Sequence, residues 1–176
     1  RKLGVTEIVD KIGPLLEYLK TKLPELNIIL TVSPIRHLKD GFEENQISKS
    51  TLILAVQEMV KRASYIHYFP AYEIMMDDLR DYRYYADDLI HPSNLALEYI
   101  WELFAEYYLN AKESNIRQSI KKLQKSILHR SFNPASVVHQ KFVKQQLKSI
   151  ERIQKKVPTL NLEEAKNHFI SQLIDG

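Results

Sequence analysis

Two short apolar runs, each closed by a proline, constrain the fold more than any other feature of the sequence. Residues 27–32 are Asn-Ile-Ile-Leu-Thr-Val before Ser33-Pro34, and residues 64–69 are Ser-Tyr-Ile-His-Tyr-Phe before Pro70. The first run is nearly continuous and rich in β-branched residues, which is typical of a strand buried on both faces of a parallel sheet. A helical pattern separates the two runs, and parallel strands need such a crossover. The sequence therefore predicts an α/β fold.

Helical periodicity surrounds these strands. A helix is predicted over residues 5–22, with Thr6 as its N-cap and Pro24 beyond its end. After a polar loop over residues 35–45, a second helix is predicted to begin at Ser48 and to run to about Arg62. A long acidic, tyrosine-rich loop then leads to a third helix, which is predicted to begin near residues 91–94 and to end at about residue 109.

From residue 111 the pattern changes to basic helices. Residues 1–110 hold 12 Lys and Arg against 17 Asp and Glu, whereas residues 111–176 hold 13 against 5, so the net charges are −5 and +8. Apolar seams at helical spacing run through this second region at Ile116, Ile120, Leu123, Ile127, Val138, Phe142, Leu147, Ile150 and Ile153. A last helix is predicted over residues 162–174. We therefore divide the chain into an α/β part, residues 1–110, and a basic α-helical extension, residues 111–176.

Several classes of function are excluded by residues that the sequence lacks. There is no cysteine, which removes disulfides, thiol nucleophiles and cysteine-ligated metals. The four glycines are too far apart to frame a phosphate-binding loop or a dinucleotide fingerprint. We expect no metal and no cofactor. No run of about 18 apolar residues is present, so no membrane partner is expected. The first residues contain neither an apolar signal core nor a methionine, so we expect a piece of a longer protein and leave its compartment open.

The strongest chemical signal is Asp88-Leu89-Ile90-His91-Pro92. An Asp three residues before a His, in a loop that enters a helix, can fold its carboxylate onto the imidazole. The carboxylate then fixes the tautomer while the other ring nitrogen acts as a general base. The alternative is structural: an Asp that caps the helix and a His on its first turn. The position beyond a predicted parallel strand favours the catalytic interpretation, because ligands bind at that edge of such sheets.

The other predicted strand also ends in polar residues. Arg36 is a candidate to clamp an anionic or polyhydroxy ligand, and His37 is a candidate donor to it; the alternative is that both are solvated loop residues. The Ser33 hydroxyl fits a backbone contact at the strand end better than a nucleophile. The carboxylates of residues 73–81 lack the spacing of a calcium loop, so a solvated acidic loop is the favoured interpretation.

Four segments of the chain resemble the GSCFA-domain family of bacterial proteins. They are Thr-Val-Ser-Pro-Ile-Arg-His-Leu-Lys-Asp-Gly at 31–41, Glu-Asn-Gln-Ile-Ser-Lys at 44–49, Tyr-Phe-Pro-Ala-Tyr-Glu-Ile-Met-Met-Asp-Asp-Leu-Arg-Asp-Tyr-Arg at 68–83, and Tyr-Ala-Asp-Asp-Leu-Ile-His-Pro at 85–92. The likeness covers about residues 5–110. That family is grouped with SGNH/GDSL-like hydrolases, which have a flavodoxin-like, three-layer α/β/α fold and a Ser-His-Asp type of site.

The resemblance implies roles for particular residues. Asp88 and His91 match the Asp-x-x-His block that carries the catalytic base and its orienting acid. Ser33, Arg36, His37 and Asn45 lie in the matching segments and are assigned to substrate binding. The Gly-Ser-Cys-Phe-Ala motif that names the family is absent, because the chain has no cysteine. The resemblance thus implies the C-terminal part of such a domain, with the acid–base pair but without the nucleophile.

Two functional hypotheses follow. In the first, the chain is part of a serine hydrolase or acyltransferase that acts on acyl esters, carbohydrate-linked ones among them, and is inactive alone. In the second, the basic helices at 111–157 form a non-enzymatic module for an acidic partner or nucleic acid. Anionic lipid is a further candidate for these helices, although helical seams favour a solvated face of packed helices. A small remnant of a parallel sheet would expose a strand edge, so we also expect a homodimer or another association through that edge.

Overall fold

The computed structural model describes residues 2–110 and 113–174, and the chain divides into two compact units, residues 1–108 and 109–176. In the first unit, helix α1 (Val5–Lys22) leads to strand β1 (Ile28–Thr31), and helix α2 (Gly41–Arg62) leads to strand β2 (Ile66–Phe69). Helical turns follow at α3 (Ala71–Glu73), a π-helical turn (Ile74–Asp78) and a 3₁₀ turn (Tyr82–Tyr84), before helix α4 (Asn94–Tyr108).

The two strands pair in parallel, as the βαβ pattern predicts. Ile28 lies opposite Ile66 and Thr31 lies opposite Phe69. The described residues thus form a mixed α/β, helix-rich fold around a two-stranded sheet. Each strand keeps one edge without a strand partner among these residues, and association through that edge stays a prediction.

Helices cover both faces of this sheet. Leu30 and Tyr68 pack against a core that α1 and α2 share, whose buried residues are Val9, Leu16, Ala55, Val56, Met59 and Ile66. Phe69, one residue after Tyr68, instead meets the rings of Phe104 and Tyr108 on α4, at 5.2 and 6.1 Å between ring centroids. Because successive strand residues point to opposite faces, α4 lies across the sheet from α1 and α2.

Strand β1 is less buried than its apolar sequence predicts. Ile28, Ile29 and Leu30 are only partly buried and Thr31 is exposed. The prediction of a strand buried on both faces was wrong for the described residues. The physical reason is the width of the sheet: with β2 as its one strand partner there, β1 lies at an edge and its side chains lack neighbours on one side.

Two helix starts also differ from the sequence analysis. Helix α1 is capped at Gly4 and not at Thr6, and the Glu7 carboxylate accepts the Gly4 N–H at 3.1 Å. Helix α2 begins at Gly41, seven residues before the predicted start at Ser48. Gly41 has φ +79°, which turns the chain out of a preceding 3₁₀ turn (Leu38–Asp40), and two glutamates in the first turn of α2 favour its N-terminus.

The acidic stretch after β2 is not an extended loop. Its first two turns, α3 and the π-helical turn, form because Tyr72, Met75 and Leu79, spaced three and four residues apart, are buried. Met75 is fully buried beside Ala96 of α4. The acidic residues of this stretch favour a loop, whereas the spacing of its buried apolar residues favours the helical turns that form.

In the second unit, helices α5 (Ser114–Ile127), α6 (Val137–Lys156) and α7 (Glu163–Ile170) share one core. Its fully or nearly fully buried residues are Leu123, Val143, Ile150, Ile153, Ala165 and Phe169. Val138, placed in the apolar seam by its sequence position, is exposed, and His139 is buried in its stead, where its Nε2 lies 3.1 Å from Gln172 Oε1. Helix α7 also ends four residues earlier than predicted.

Candidate active site

A narrow, hairpin-like loop before α4 carries the Asp-x-x-His motif. Tyr85 and Pro92 pair across the loop as an isolated antiparallel bridge, and the Ala86 N–H donates to the His91 carbonyl at 2.8 Å. Leu89, at the loop tip, has a φ of +57°, in the left-handed region that a branched side chain rarely adopts. Such a conformation persists only where its surroundings enforce it. The loop is therefore a built element that fixes the positions of Asp88 and His91.

Asp88 is held at both of its carboxylate oxygens. Oδ1 accepts the backbone N–H groups of Ile90 and His91, at 2.9 and 3.0 Å, and Oδ2 lies 2.6 Å from His91 Nδ1. The backbone donor of His91, its ring and the Ile90 N–H together lower the pKa of Asp88 to about 2. Asp88 is therefore ionised at neutral pH, and its stabilising contacts weaken only when acid protonates it, as the pH falls from about 4 toward 2.

The His91 ring presents its second nitrogen outward. The side chain is 56% exposed, and no hydrogen bond from a described residue reaches Nε2. An ionised carboxylate at Nδ1 favours the tautomer with the proton on that nitrogen, which leaves the Nε2 lone pair available. A general base and its orienting acid require a contact of this kind, and the catalytic roles of Asp88 and His91 stay predictions.

Arg36 links the loop after β1 to this hairpin. Its Nη2 donates to the Tyr85 hydroxyl at 2.9 Å, and its Cζ lies 4.5 Å from the centroid of the Tyr85 ring. Tyr85 is the residue that pairs with Pro92, next to His91. The guanidinium thus has a protein partner at the base of the Asp88–His91 loop, and its further donors are the groups with which it can contact a ligand.

The other predicted binding residues bond mainly within their own loop. The Ser33 hydroxyl accepts the Ile35 N–H at 3.3 Å, and the Asn45 side chain on α2 accepts the His37 N–H at 2.9 Å. Among the described residues no hydrogen bond joins any of these side chains to Asp88 or His91. The structure therefore brings Asp88 and His91 together, ties Arg36 to their loop, and uses Asn45 to hold the backbone of His37.

Sequence reasoning missed a buried lysine that holds the same loop. Lys49 on α2 is 1% exposed, donates from Nζ to the Ser33 carbonyl at 2.7 Å, and lies 5.5 Å from the centroid of the Tyr72 ring. Burial lowers the pKa of Lys49. The Tyr72 hydroxyl in turn donates to Gln46 Oε1 at 2.7 Å. Helical spacing in the sequence could have indicated its burial, because Lys49 lies seven residues before the buried Val56 and therefore on the same face of α2.

Three acidic residues near the hairpin have protein partners. Asp77 pairs with Arg80, Asp81 pairs with Arg83 at 2.9 Å, and Asp78 accepts the Tyr99 hydroxyl. Within residues 2–110 and 113–174, no group of three or more His, Asp or Glu side chains is arranged to hold a metal ion. No helix in the same residues is long and apolar enough to cross a membrane.

The fold and these motifs define a mixed α/β protein with a GSCFA-type sequence, and comparison with protein families identifies it. Residues 1–104 match the GSCFA family, and residues 120–175 match the family described as GSCFA domain protein, C-terminal domain. The chain therefore belongs to the GSCFA family, which confirms the resemblance stated from the sequence. No curated protein and no solved structure matches it. The catalytic and binding roles of the individual residues stay predictions.

Proposed function

We propose that this chain supplies the general-base half of an SGNH-like serine hydrolase or acyltransferase that acts on acyl esters, carbohydrate-linked esters among them. The observation that carries the proposal is the 2.6 Å contact between Asp88 Oδ2 and His91 Nδ1, with the other Asp88 oxygen anchored by two backbone donors. A helix-capping Asp would not need the ring contact, and the left-handed Leu89 next to Asp88 supports a loop shaped to hold the pair.

In the proposed reaction, His91 Nε2 takes the proton from a serine hydroxyl as the hydroxyl oxygen attacks the ester carbonyl. The imidazolium then returns that proton to the leaving alcohol as the acyl-serine forms. Asp88 stays ionised throughout, because its pKa lies near 2, and it stabilises the imidazolium through Nδ1–H. The acyl group passes next to water in a hydrolase or to another alcohol in a transferase.

The nucleophile in this proposal is the serine of a Gly-Ser-Cys-Phe-Ala motif outside the 176 residues of this chain. The chain contains no cysteine and therefore no such motif, and its Ser33 hydroxyl is engaged with its own loop. The parallel β1–β2 pair, with α1 and α2 on one face and α4 on the other, supports a place for the chain at one end of a larger three-layer sheet. Arg36 and His37, in the loop after β1, are proposed substrate contacts.

Labelling with a fluorophosphonate probe, which reacts with activated serines, tests whether the nucleophilic serine lies outside this chain. The isolated chain is expected to remain unlabelled and to hydrolyse p-nitrophenyl acetate no faster than denatured protein does. A longer family protein that contains the motif is expected to be labelled at the serine of that motif.

The control is Ser33→Ala in the isolated chain. If the isolated chain is labelled and Ser33→Ala removes the label, the nucleophile is Ser33, and the proposal that it lies outside this chain is wrong. If the longer protein contains the intact motif and is not labelled, the serine-hydrolase mechanism itself is wrong.

A further inference from the structure

The segment that joins α5 to α6 presents four large apolar side chains to solvent. Leu128, Phe132, Val137 and Val138 are each at least 80% exposed, and Phe132 is wholly exposed. Single exposed apolar residues are ordinary on protein surfaces, but four within eleven residues of the chain are a concentration typical of interaction surfaces. We call these four residues the apolar tip.

The turn that carries the apolar tip is held by hydrogen bonds. The Asn133 carbonyl accepts the Ser136 N–H at 3.2 Å and the Ser136 hydroxyl at 2.9 Å. The Gln140 side chain donates to the carbonyls of Pro134 and Gln172, at 2.8 and 3.0 Å. These contacts tie the turn to the end of the unit, so the apolar side chains are displayed by an ordered element.

The apolar tip lies within a strongly cationic part of the chain. Residues 114–160 contain eleven Lys and Arg and a single acidic residue, Glu151. The cations nearest the tip in sequence, Lys125, Arg130 and Lys141, are exposed. None of the three forms an ion pair with a described residue. Their charges are therefore free to meet an anionic partner.

We propose that the apolar tip and its three cations dock on the surface of an anionic lipid bilayer. Leu128, Phe132, Val137 and Val138 would enter the boundary between headgroups and acyl chains, while Lys125, Arg130 and Lys141 meet the anionic headgroups. A bilayer offers anionic headgroups for the cations and, directly beneath them, acyl chains for the apolar side chains. A nucleic acid would satisfy the cations but give the apolar side chains no comparable environment. The docking is interfacial and needs no membrane-spanning segment, so it departs from the expectation of no membrane partner, which rested on the lack of a spanning apolar run. It is independent of the hydrolase proposal.

Vesicle flotation of the full chain tests this proposal. The chain is expected to float with vesicles of phosphatidylcholine mixed with phosphatidylserine, and the bound fraction should fall as salt rises. With Phe132→Ser and Val138→Ser combined, the affinity should fall about tenfold or more. Replacing Lys125, Arg130 and Lys141 by Gln should remove the preference for phosphatidylserine. Both changes lie at exposed positions, so circular dichroism should show an unchanged helix content.

Two further measurements place the contact. Trp101 is the only tryptophan, so a chain with Trp101→Phe and Phe132→Trp carries its one tryptophan on the tip. Its emission should shift to shorter wavelength on the mixed vesicles and be quenched by brominated acyl chains. Phe42→Ser, at a residue 82% exposed on α2, is the matched control and should leave vesicle binding unchanged.

The proposal is overturned by any of three results. The first is an unchanged affinity for vesicles after the Phe132 and Val138 changes. The second is tighter binding to DNA than to the mixed vesicles. The third is a fall in molecular mass by light scattering on Phe132→Ser in the absence of lipid, since the occupant of the tip would then be a second copy of the chain.

Discussion

Replacing His91 by Gln in a longer family protein that contains the Gly-Ser-Cys-Phe-Ala motif should lower kcat for ester hydrolysis by roughly 10⁴ to 10⁶-fold. Gln is close to His in size and keeps the backbone N–H that Asp88 Oδ1 accepts, so the loop should retain its shape. What it removes is the base that takes the serine proton. Because that base acts in the transition state, KM should change little. Steady-state kinetics with a p-nitrophenyl ester measures both constants.

Asp88→Asn tests whether Asp88 sets the tautomer of His91, as distinct from holding the shape of the loop. The substituted amide retains an oxygen for the Ile90 and His91 N–H groups but presents its N–H₂ to His91 Nδ1, which favours the wrong tautomer. We expect a loss in kcat of roughly 10⁴-fold. The matched control for His91→Gln is His129→Gln, the same change at an exposed histidine of the second unit, which should leave kcat unchanged. Full activity in the His91→Gln protein would show that another group is the base.

Phe169→Ala should unfold the helical unit of residues 109–176. Phe169 has no exposed surface, and its ring meets that of Phe142 at 6.2 Å within the core of α5, α6 and α7. Truncating a fully buried Phe costs about 3–5 kcal/mol of free energy of unfolding. The whole stability of a unit of this size, residues 109–176, is roughly 3–10 kcal/mol. The loss is therefore comparable with the whole free energy of unfolding of this unit.

Amide hydrogen exchange across residues 113–174 measures this effect. In Phe169→Ala the amides of α5, α6 and α7 should lose most of their protection. Phe132→Ala, the same chemical change at a wholly exposed site in the same unit, should change the free energy of unfolding by no more than about 0.5 kcal/mol. Equal protection in the two variants would mean that the three helices do not depend on the core seen in the structure.

The sequence predicts the long-range plan of the fold better than its local boundaries. The two short apolar runs, with a helical pattern between them, predict a parallel pair because parallel strands need such a crossover, and this pairing is confirmed. Helix α1 has the predicted bounds, whereas α2 begins seven residues early. Polar residues such as Glu43 and Glu44 suit a loop and a first helical turn equally well, so composition alone does not separate the two.

At the candidate site, spacing predicts local contacts and cannot predict distant ones. The three-residue interval between Asp88 and His91 is short enough for geometry to suggest their contact. The contacts of Arg36 with Tyr85 and of Lys49 with the Ser33 carbonyl join residues 49 and 16 positions apart. These depend on how β1, α2 and the hairpin pack, which no local pattern encodes. The exposure of Val138 is a similar case, since its helix rotates His139 into the core.

Nitrogen-15 NMR of the neutral form of the His91 ring in this chain tests the central claim, that the chain carries a preformed His–Asp pair, most directly. A protonated Nδ1 and an unprotonated Nε2 are the result expected, because the Asp88 carboxylate lies 2.6 Å from Nδ1. Asp88→Asn should reverse the two nitrogens. A neutral ring in which the proton resides on Nε2, or a tautomer ratio that Asp88→Asn leaves unchanged, would contradict the account.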